Sequence, residues 1–132
     1  MARRFPDNVA LLNYLYKDLS HISEVSSDDI VLHPADRDLV SPPRRPVEGL
    51  NAVLSHETAL ITATGGTLLM DVQDITANDH FGTVLGTLRA KKEGRDDLAI
   101  PFCGVWRFRD GQAVEHWENA ADPKALERWL TS

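Results

Sequence analysis

The sequence has 132 residues, of which 42% are hydrophobic and 26% are charged, a composition typical of globular domains and unlike that of disordered or fibrous chains. Its 20 acidic and 14 basic residues give a formal net charge of -6 at pH 7, and the basic residues are scattered in pairs such as Arg44-Arg45. Because nucleic acids and anionic membranes are bound mainly through continuous basic patches, neither is an expected partner.

The length fits one domain, residues 1–132, with its own hydrophobic core. Cys103 is the only cysteine, so no intrachain disulfide forms and a reducing compartment is expected. The N-terminal sequence has no unbroken apolar stretch like that of a signal peptide, and no apolar run reaches the length of a membrane span. We therefore expect a soluble, cytoplasmic protein.

The first third of the chain is predicted to be mainly helical. A first helix begins near Pro6-Asp7-Asn8 and continues to about Leu19. Its apolar residues recur at spacings of four and three, at Phe5, Val9, Leu12, Tyr16 and Leu19. A second short helix covers residues 20–25, residues 26–29 end it, and a brief strand covers residues 30–32 before His33-Pro34 closes it. Residues 35–46 contain three prolines and are expected to form an exposed loop that can cover a pocket mouth.

The rest of the chain is predicted to contain one helix, a series of strands and a final short helix. Residues 47–61 carry the apolar stripe of the third helix, which stops at Gly65-Gly66. Strands follow over residues 67–76 and 80–92, and the last helix begins at Asp122-Pro123. Helices followed by successive strands predict an α+β fold with the helices on one face of the sheet.

The strongest local signal is a hairpin between two apolar-rich runs, residues 102–108 and 113–117. Asp110-Gly111 lies between them, and Asp-Gly is a preferred two-residue hairpin turn. Since strand side chains alternate between faces, Gly104 and Trp106 share a face with Phe108. By the same rule His116 and Glu118 point in one direction from the second strand.

Three stretches carry a resemblance to a known family: DDIVLHP at residues 28–34, PVEGLNAV at residues 46–53 and the hairpin VWRFRDGQAVEHWENAAD at residues 105–122. They resemble the SnoaL-like polyketide cyclases of the nuclear transport factor 2-like superfamily, which also contains ketosteroid isomerase. The resemblance implies a curved antiparallel sheet with the N-terminal helices packed on its concave face, in a cone-shaped, cystatin-like roll around a cavity. It also implies a small hydrophobic ligand and a homodimer formed through the outer sheet face, and it implies no cofactor.

The resemblance makes Glu118 the first candidate for a catalytic role, because it matches a carboxylate that polyketide cyclases use as an acid and base. An apolar cavity disfavours the charged form of a glutamate, which suits proton transfer near neutral pH. The expected chemistry is proton movement next to a carbonyl group, through an enolate. The alternative is a structural carboxylate that is hydrogen-bonded to His116 or to loop amides.

Two histidines are further catalytic candidates. His116 is expected to orient Glu118, to bind a substrate oxygen or to act as a second acid or base, and the alternative is a satisfied polar pair in the sheet. His33 stands where the isomerase branch carries its catalytic aspartate, and its alternative role is a strand-end histidine at the pocket rim. The oxyanion-stabilising acid of the isomerases falls on Gly104, so isomerisation by their known arrangement is not expected.

The candidates for substrate binding are Tyr16, Trp106 and Gly104. Tyr16 lies on the apolar stripe of the first helix, with Tyr14 as the alternative pocket tyrosine, and Trp106 forms either cavity wall or core. The five histidines have no metal-binding spacing, so no metal site is expected.

The functional hypothesis is acid/base chemistry of cyclase or isomerase type on a hydrophobic carbonyl compound. One alternative is a non-catalytic ligand-binding or dimerisation module of the same fold. The other is a dehydratase-like lyase that uses His33 or His116 with Tyr16. An open cavity in which Glu118 and His116 converge favours an enzyme, whereas a filled cavity favours the non-catalytic module.

Overall fold

The structure, a computed structural model, describes residues 4–131. The helices are α1 (Asn8–Leu15), α2 (Ile22–Val25), α3 (Leu50–Ala63) and α4 (Pro123–Thr131), and a short 3₁₀-helix at Leu19–His21 precedes α2. The strands are β1 (Ser26–His33), β2 (Val47–Glu48), β3 (Leu69–Ala77), β4 (Phe81–Ala90), β5 (Leu98–Arg109) and β6 (Gln112–Ala120). None of the helices in this range is long and apolar enough to span a membrane.

The six strands form one open, curved sheet in the order β2-β1-β6-β5-β4-β3, and the α+β class is confirmed. Strands β3 to β6 form an antiparallel series, as predicted. One pair differs from the predicted antiparallel arrangement, because β1 pairs with β6 in parallel. Hairpins fix the direction of neighbouring strands, whereas β1 lies far from β6 in sequence and no hairpin constrains its direction.

The helices cover one face of the sheet and build the main core with it. Leu11, Leu12 and Leu15 of α1 are almost completely buried and belong to the same cluster as Trp106 and Phe108 of β5. Full burial of a leucine side chain contributes about 1.5–3 kcal/mol. In β4, buried and exposed residues alternate, so one sheet face is apolar core and the other carries exposed side chains.

Two predicted boundaries are wrong because local backbone geometry overrides the apolar pattern. Helix α1 ends at Leu15 instead of continuing to Leu19, and its buried face includes Leu11, which the predicted stripe did not contain. Helix α3 begins at Leu50 instead of residue 47, because Gly49 has a φ of 91° and Val47–Glu48 pairs with β1 as a short strand.

Two predicted turns are confirmed. Asp110 and Gly111 both have positive φ, 53° and 78°, which is the geometry of the type I′ turn that matches the twist of a hairpin. Gly65 and Gly66 also have positive φ, and their amides bond to carbonyl groups of the last turn of α3. Strand β1 begins at Ser26, so residues 26–29, which were predicted only to end the second helix, belong to the sheet.

Candidate functional site

A cavity of about 400 Å³ lies between the helices and the covered face of the sheet. Most of its wall is apolar and comes from every layer of the fold: Leu15, Leu19, Ile22, Leu60, Met70, Leu88, Phe102, Trp106, Leu126 and Leu130. A smaller set of polar side chains also lines it: Tyr16, His56, Glu57, His116, Glu118 and Asn119. An apolar cavity with a few polar groups is the usual form of a small-molecule site.

Helix α3 supplies two of these polar groups, His56 and Glu57, and strand β6 supplies three, of which Glu118 lies beside them. Glu57 lies on the inward stripe of α3, four residues after Val53 and three before Leu60, and only 3% of it is exposed. The neighbouring His56 lies nearer the surface, with 34% of its side chain exposed. Glu118 projects from β6 with 19% of its side chain exposed.

These three side chains form a compact cluster. Nε2 of His56 lies 2.8 Å from Oε1 of Glu118, and one donor atom from each of His56, Glu57 and Glu118 lies within 4.8 Å of the others. Oε1 of Glu57 is buried and has no hydrogen-bond partner in the described part of the chain. Within residues 4–131 this cluster is also the group that could ligate a metal ion, although its linear spacing is not that of a metal motif.

The two glutamates have opposite electrostatic properties. Burial, together with the charge of Glu118 and a hydrogen bond to it, raises the pKa of Glu57 well above its ordinary value. Burial also opposes the charge of Glu118, but the hydrogen bond and charge of His56 outweigh burial and lower the pKa of Glu118. The hydrogen bond to Glu118 raises the pKa of His56. Glu57 therefore keeps its proton to higher pH than Glu118 does.

Tyr16 is the tyrosine that faces the cavity. Its hydroxyl oxygen accepts a hydrogen bond of 3.0 Å from Nε1 of Trp106, whereas the hydroxyl of Tyr14 donates to Glu24 near the surface. A Cβ atom at Gly104 would overlap the Tyr16 hydroxyl, so the absence of a side chain at Gly104 makes room for it. Burial raises the pKa of Tyr16, which keeps its hydroxyl protonated and able to donate.

His116 lines the cavity but does not bond to Glu118. Its ring stacks on Trp106 at 3.6 Å, and its Nδ1 lies 2.9 Å from the carbonyl oxygen of Val105, which requires a proton on Nδ1. Burial lowers the pKa of His116 to about 4, so the ring is neutral at pH 7 and Nε2 is an acceptor. The predicted pairing of His116 with Glu118 is wrong, because residues two apart on a strand are separated by about 6.7 Å and point in parallel.

His33 lies outside the cavity, so its predicted place at the pocket rim is wrong. Leu32 is paired with His116 and points into the core, and alternation turns the next residue, His33, to the outer face. There, Nε2 of His33 lies 2.7 Å from Oε2 of Glu115, and its ring stacks on Trp117. The dehydratase alternative therefore loses one of its two candidate histidines.

The loop between β1 and β2, residues 34–46, borders the cavity through Pro34, Ala35, Asp36 and Arg44. Arg37 ties this loop to β6, because its guanidinium donates to the carbonyl oxygen of Glu118 and to Oδ1 of Asn119. The same group donates to the carbonyl oxygen of Pro34. The loop is thus fixed beside Glu118.

Residues 3–116 match the sequence model of the SnoaL-like domain family. The chain belongs to the SnoaL-like family. No curated protein sequence matches it significantly.

Solved structures agree with the SnoaL-like assignment at the level of the fold. A protein of unknown function with a cystatin-like fold from Xanthomonas campestris has a TM-score of 0.77 and 15% identity, over 96% of this chain and 99% of that chain. IdmH of Streptomyces antibioticus, a proposed polyketide cyclase, has a TM-score of 0.67 and 21% identity, over 89% and 94%. TerC, co-crystallised with polyporic acid, has a TM-score of 0.68 and 17% identity, over 95% and 97%.

Sequence reasoning on this SnoaL-like chain missed His56 and Glu57. The signal that was available is the position of Glu57, a carboxylate on the stripe formed by Val53, Leu60 and Thr64 at spacings of four, three and four. A charged residue on an otherwise inward stripe is rarely buried without a partner. His56 had no such signal, since it occupies the edge of the same stripe.

Proposed function

We propose that this SnoaL-like chain binds a hydrophobic carbonyl compound in the cavity and moves a proton at the carbon beside the carbonyl group, in a reaction of cyclase or isomerase type. The observation that carries the proposal is the carboxylate of Glu118, which lies on the wall of a largely apolar cavity and is hydrogen-bonded to His56 at 2.8 Å. A carboxylate in such a site is a suitable base for proton abstraction next to a carbonyl.

The proposed step begins with Glu118 as the proton carrier. Its carboxylate takes the proton from the carbon next to the carbonyl, and the electrons of the broken C–H bond move toward the carbonyl oxygen to give an enolate. The proton then returns to another carbon, which gives an isomer. Alternatively, the nucleophilic carbon attacks a second carbonyl group of the same molecule and closes a ring, and the alkoxide that forms takes the proton back from Glu118. Neither course requires an external oxidant or reductant.

The other polar side chains of the cavity have supporting roles in this proposal. His56 stabilises the charge of Glu118 and, being partly exposed, links it to solvent protons. The Tyr16 hydroxyl donates a hydrogen bond to the developing oxyanion, and Trp106 with Gly104 holds Tyr16 in position. His116, neutral and with Nε2 free of a proton, accepts a hydrogen bond from a hydroxyl group of the substrate.

A thermal-shift screen against bicyclic and tetracyclic ketones, each paired with its parent hydrocarbon, tests the ligand class. Stabilisation by a ligand follows RT ln(1 + [L]/Kd) and reaches about 2.7 kcal/mol at a hundredfold excess over Kd. We expect ketones to stabilise the protein more than their hydrocarbons. Glu118→Gln should retain binding and lose turnover, whereas Glu93→Gln, the same change at an exposed turn, should retain both.

Two results would contradict the proposal, one from this screen and one from an assay of turnover of the ketones that bind. Equal stabilisation by ketones and hydrocarbons would mean that the polar cluster does not recognise the carbonyl group. Binding without any turnover by the wild-type protein would favour the non-catalytic ligand-binding module, which is the alternative function for the same cavity.

We also propose that the chain forms a homodimer through the outer face of the sheet, as its family resemblance implies. Phe81 and Leu85 of β4 support this proposal, since they are 54% and 47% exposed on the face opposite the helices. Large apolar side chains exposed together on a sheet face favour association with a second surface.

A further inference from the structure

Glu57 is a buried titratable group that the proposed function leaves unused. Only 3% of Glu57 is exposed, and the residue lines the cavity. Its Oε1 atom has no hydrogen-bond partner in residues 4–131. A buried polar atom without a partner destabilises a protein, because it loses its hydrogen bonds to water and gains none in return. Its retention in the wall of the cavity therefore requires an explanation.

We propose that Glu57 and Glu118 share one proton and work as a pair, in which Glu57 is the general acid toward the substrate oxygen while Glu118 is the base toward its carbon. This inference rests on the proposed function and adds a second catalytic residue to it. Nothing in the family match or in the structural comparisons assigns a role to Glu57.

The geometry of the pair requires a shared proton. Carboxyl oxygens of Glu57 and Glu118 lie within 4.8 Å of each other, with Glu57 almost fully buried and 19% of the Glu118 side chain exposed. Two carboxylates this close in a medium of low dielectric constant repel each other strongly, so one of them retains a proton and the two titrate as a coupled unit.

The surroundings decide which member holds the proton. His56 bonds to Glu118 and lies beside it, so the negative charge is favoured on Glu118. Beside the three members of the cluster, the titratable side chains that line the cavity are Tyr16, Asp36, Arg44, Cys103, His116 and Glu127. Arg44 is the permanent cation of this set, and it is ion-paired with Asp36 at 3.0 Å. The hydrogen bond from His56 to Glu118 therefore decides the position of the proton, which stays on Glu57.

This arrangement balances an enolisation without a co-reactant. The Glu118 carboxylate forms a bond to the proton of the carbon beside the carbonyl, and the C–H electrons form the C=C bond of the enol. The carbonyl oxygen takes the proton of Glu57, whose O–H bond breaks. The pair then still carries one proton and one negative charge, and reprotonation of carbon by Glu118, with return of the enol proton to Glu57, restores the starting state.

Carbon-13 NMR of protein labelled at the glutamate side-chain carboxyls tests the shared proton without any substrate. We expect one carboxyl signal that titrates well above the range of the others, that disappears in Glu57→Gln and that shifts to lower pH in Glu118→Gln. Glu93→Gln, at an exposed turn, should leave it unchanged. A spectrum in which every glutamate ionises in the ordinary range would overturn the inference.

A metal ion is the rival occupant of the same three side chains, and the experiment separates the two. Addition of Zn²⁺ alone to the purified protein should leave the unusual carboxyl titration in place. Stoichiometric binding of Zn²⁺ that abolishes this titration, and that is lost in Glu57→Gln, would mean that the cluster is a metal site and would overturn the shared proton.

Solvent deuterium exchange into β-tetralone, a bicyclic ketone with exchangeable protons beside its carbonyl, tests the catalytic role. General acid catalysis contributes about 100-fold or more, so Glu57→Gln should slow exchange by about 100-fold while leaving ketone affinity unchanged. The pH profile of its exchange rate should also lose the decline at high pH that ionisation of the acid causes.

The outcomes distinguish this inference from the function on which it rests. Exchange by Glu57→Gln at the wild-type rate, with an unaltered pH profile, would overturn the role of Glu57 alone. Wild-type protein that binds the ketone and does not exchange its protons would contradict the proposed function, while the NMR titration would still decide whether the proton is shared.

Discussion

The two glutamates of the cavity show how neighbouring atoms give one chemical group two behaviours. Glu118 has a hydrogen-bonded histidine and a lowered pKa, whereas Glu57 has burial and a neighbouring negative charge, which raise its pKa. A pair whose pKa values are pushed apart contains both an acid and a base near neutral pH. The proposed proton transfers therefore need no acid or base beyond the two glutamates in the wall of the cavity.

Replacement of Glu57 by glutamine is predicted to stabilise the protein at neutral pH. The folded-state pKa of Glu57 lies above its ordinary value of 4.5, so from about that pH upward the unfolded chain loses the proton and the folded chain keeps it. Stability then falls by up to about 1.4 kcal/mol per pH unit until the folded-state pKa is passed. Glutamine does not titrate, so the stability of Glu57→Gln does not fall in this way as the pH rises.

Urea denaturation between pH 4 and pH 8 measures the effect. The difference in free energy of unfolding between Glu57→Gln and the wild type should be small below the ordinary glutamate pKa and should grow with pH. A difference that is the same at every pH would show that Glu57 ionises normally in the folded protein.

Gly104→Ala is predicted to destabilise the protein by about 1–3 kcal/mol, because the added methyl group overlaps the Tyr16 hydroxyl. Removal of that hydroxyl in Tyr16→Phe should relieve part of the overlap. A double-mutant cycle of the two changes, measured by thermal or urea unfolding, should therefore give a favourable interaction energy. Strictly additive effects would mean that Gly104 does not hold the space for Tyr16.

Part of the site was predictable from single residues and part was not. Alternation along β6 correctly placed His116 and Glu118 on one face. Ile30 and Leu32 are buried, so the same rule predicts that His33 points to the outer face of the sheet. The family resemblance instead placed His33 at the position of the isomerases' catalytic aspartate, which lies in the pocket. The contact between His56 and Glu118 spans 62 positions, and no local pattern reports a contact between a helix and a strand that are so far apart in sequence.

At the scale of elements, the β5–β6 hairpin and the loop at residues 34–46 position Glu118, the proposed proton carrier. The hairpin was predictable because its Asp-Gly turn and its alternation are local signals. The parallel pairing of β1 with β6 was not, because it depends on how the helices pack against the sheet. Sequence therefore predicted the strands better than their order.

Arg37→Ala is predicted to release the loop at residues 34–46 and to lower stability by about 2 kcal/mol, since hydrogen bonds from a charged donor contribute about that much. Hydrogen exchange followed by mass spectrometry should show faster exchange in this loop and at the end of β6. Arg45→Ala, at an exposed position of the same loop, is the matched control. Loop protection that is equal in both variants would show that Arg37 does not fix the loop.

At the scale of the whole molecule, one sheet has two different faces. Its covered face and the helices enclose the cavity, while its outer face carries Phe81 and Leu85. The curved sheet is a feature of the SnoaL-like fold. The sequence indicated this fold through the stretches at residues 28–34, 46–53 and 105–122. The volume of the cavity was not predictable, since it depends on packing between α4, α3 and the sheet.

Leu85→Lys is predicted to convert a dimer to a monomer, because a lysine in an apolar interface would be desolvated without a partner. Size-exclusion chromatography with light scattering should give twice the 14.7 kDa chain mass for the wild type and a single chain mass for the variant. Val40→Lys makes a similar change at an exposed loop position and should leave the dimer intact. A monomeric wild-type protein would contradict the proposed interface.

Glu118 is the proposed base, so its replacement should slow the exchange of the protons beside the carbonyl group of a bound ketone. The rate of this exchange in deuterated water is measured for the wild-type protein and for Glu118→Gln. Loss of the base should reduce the rate by about 10²–10⁴-fold, while ketone affinity stays close to that of the wild type. Exchange at the wild-type rate in Glu118→Gln would contradict the assignment of Glu118 as the proton carrier.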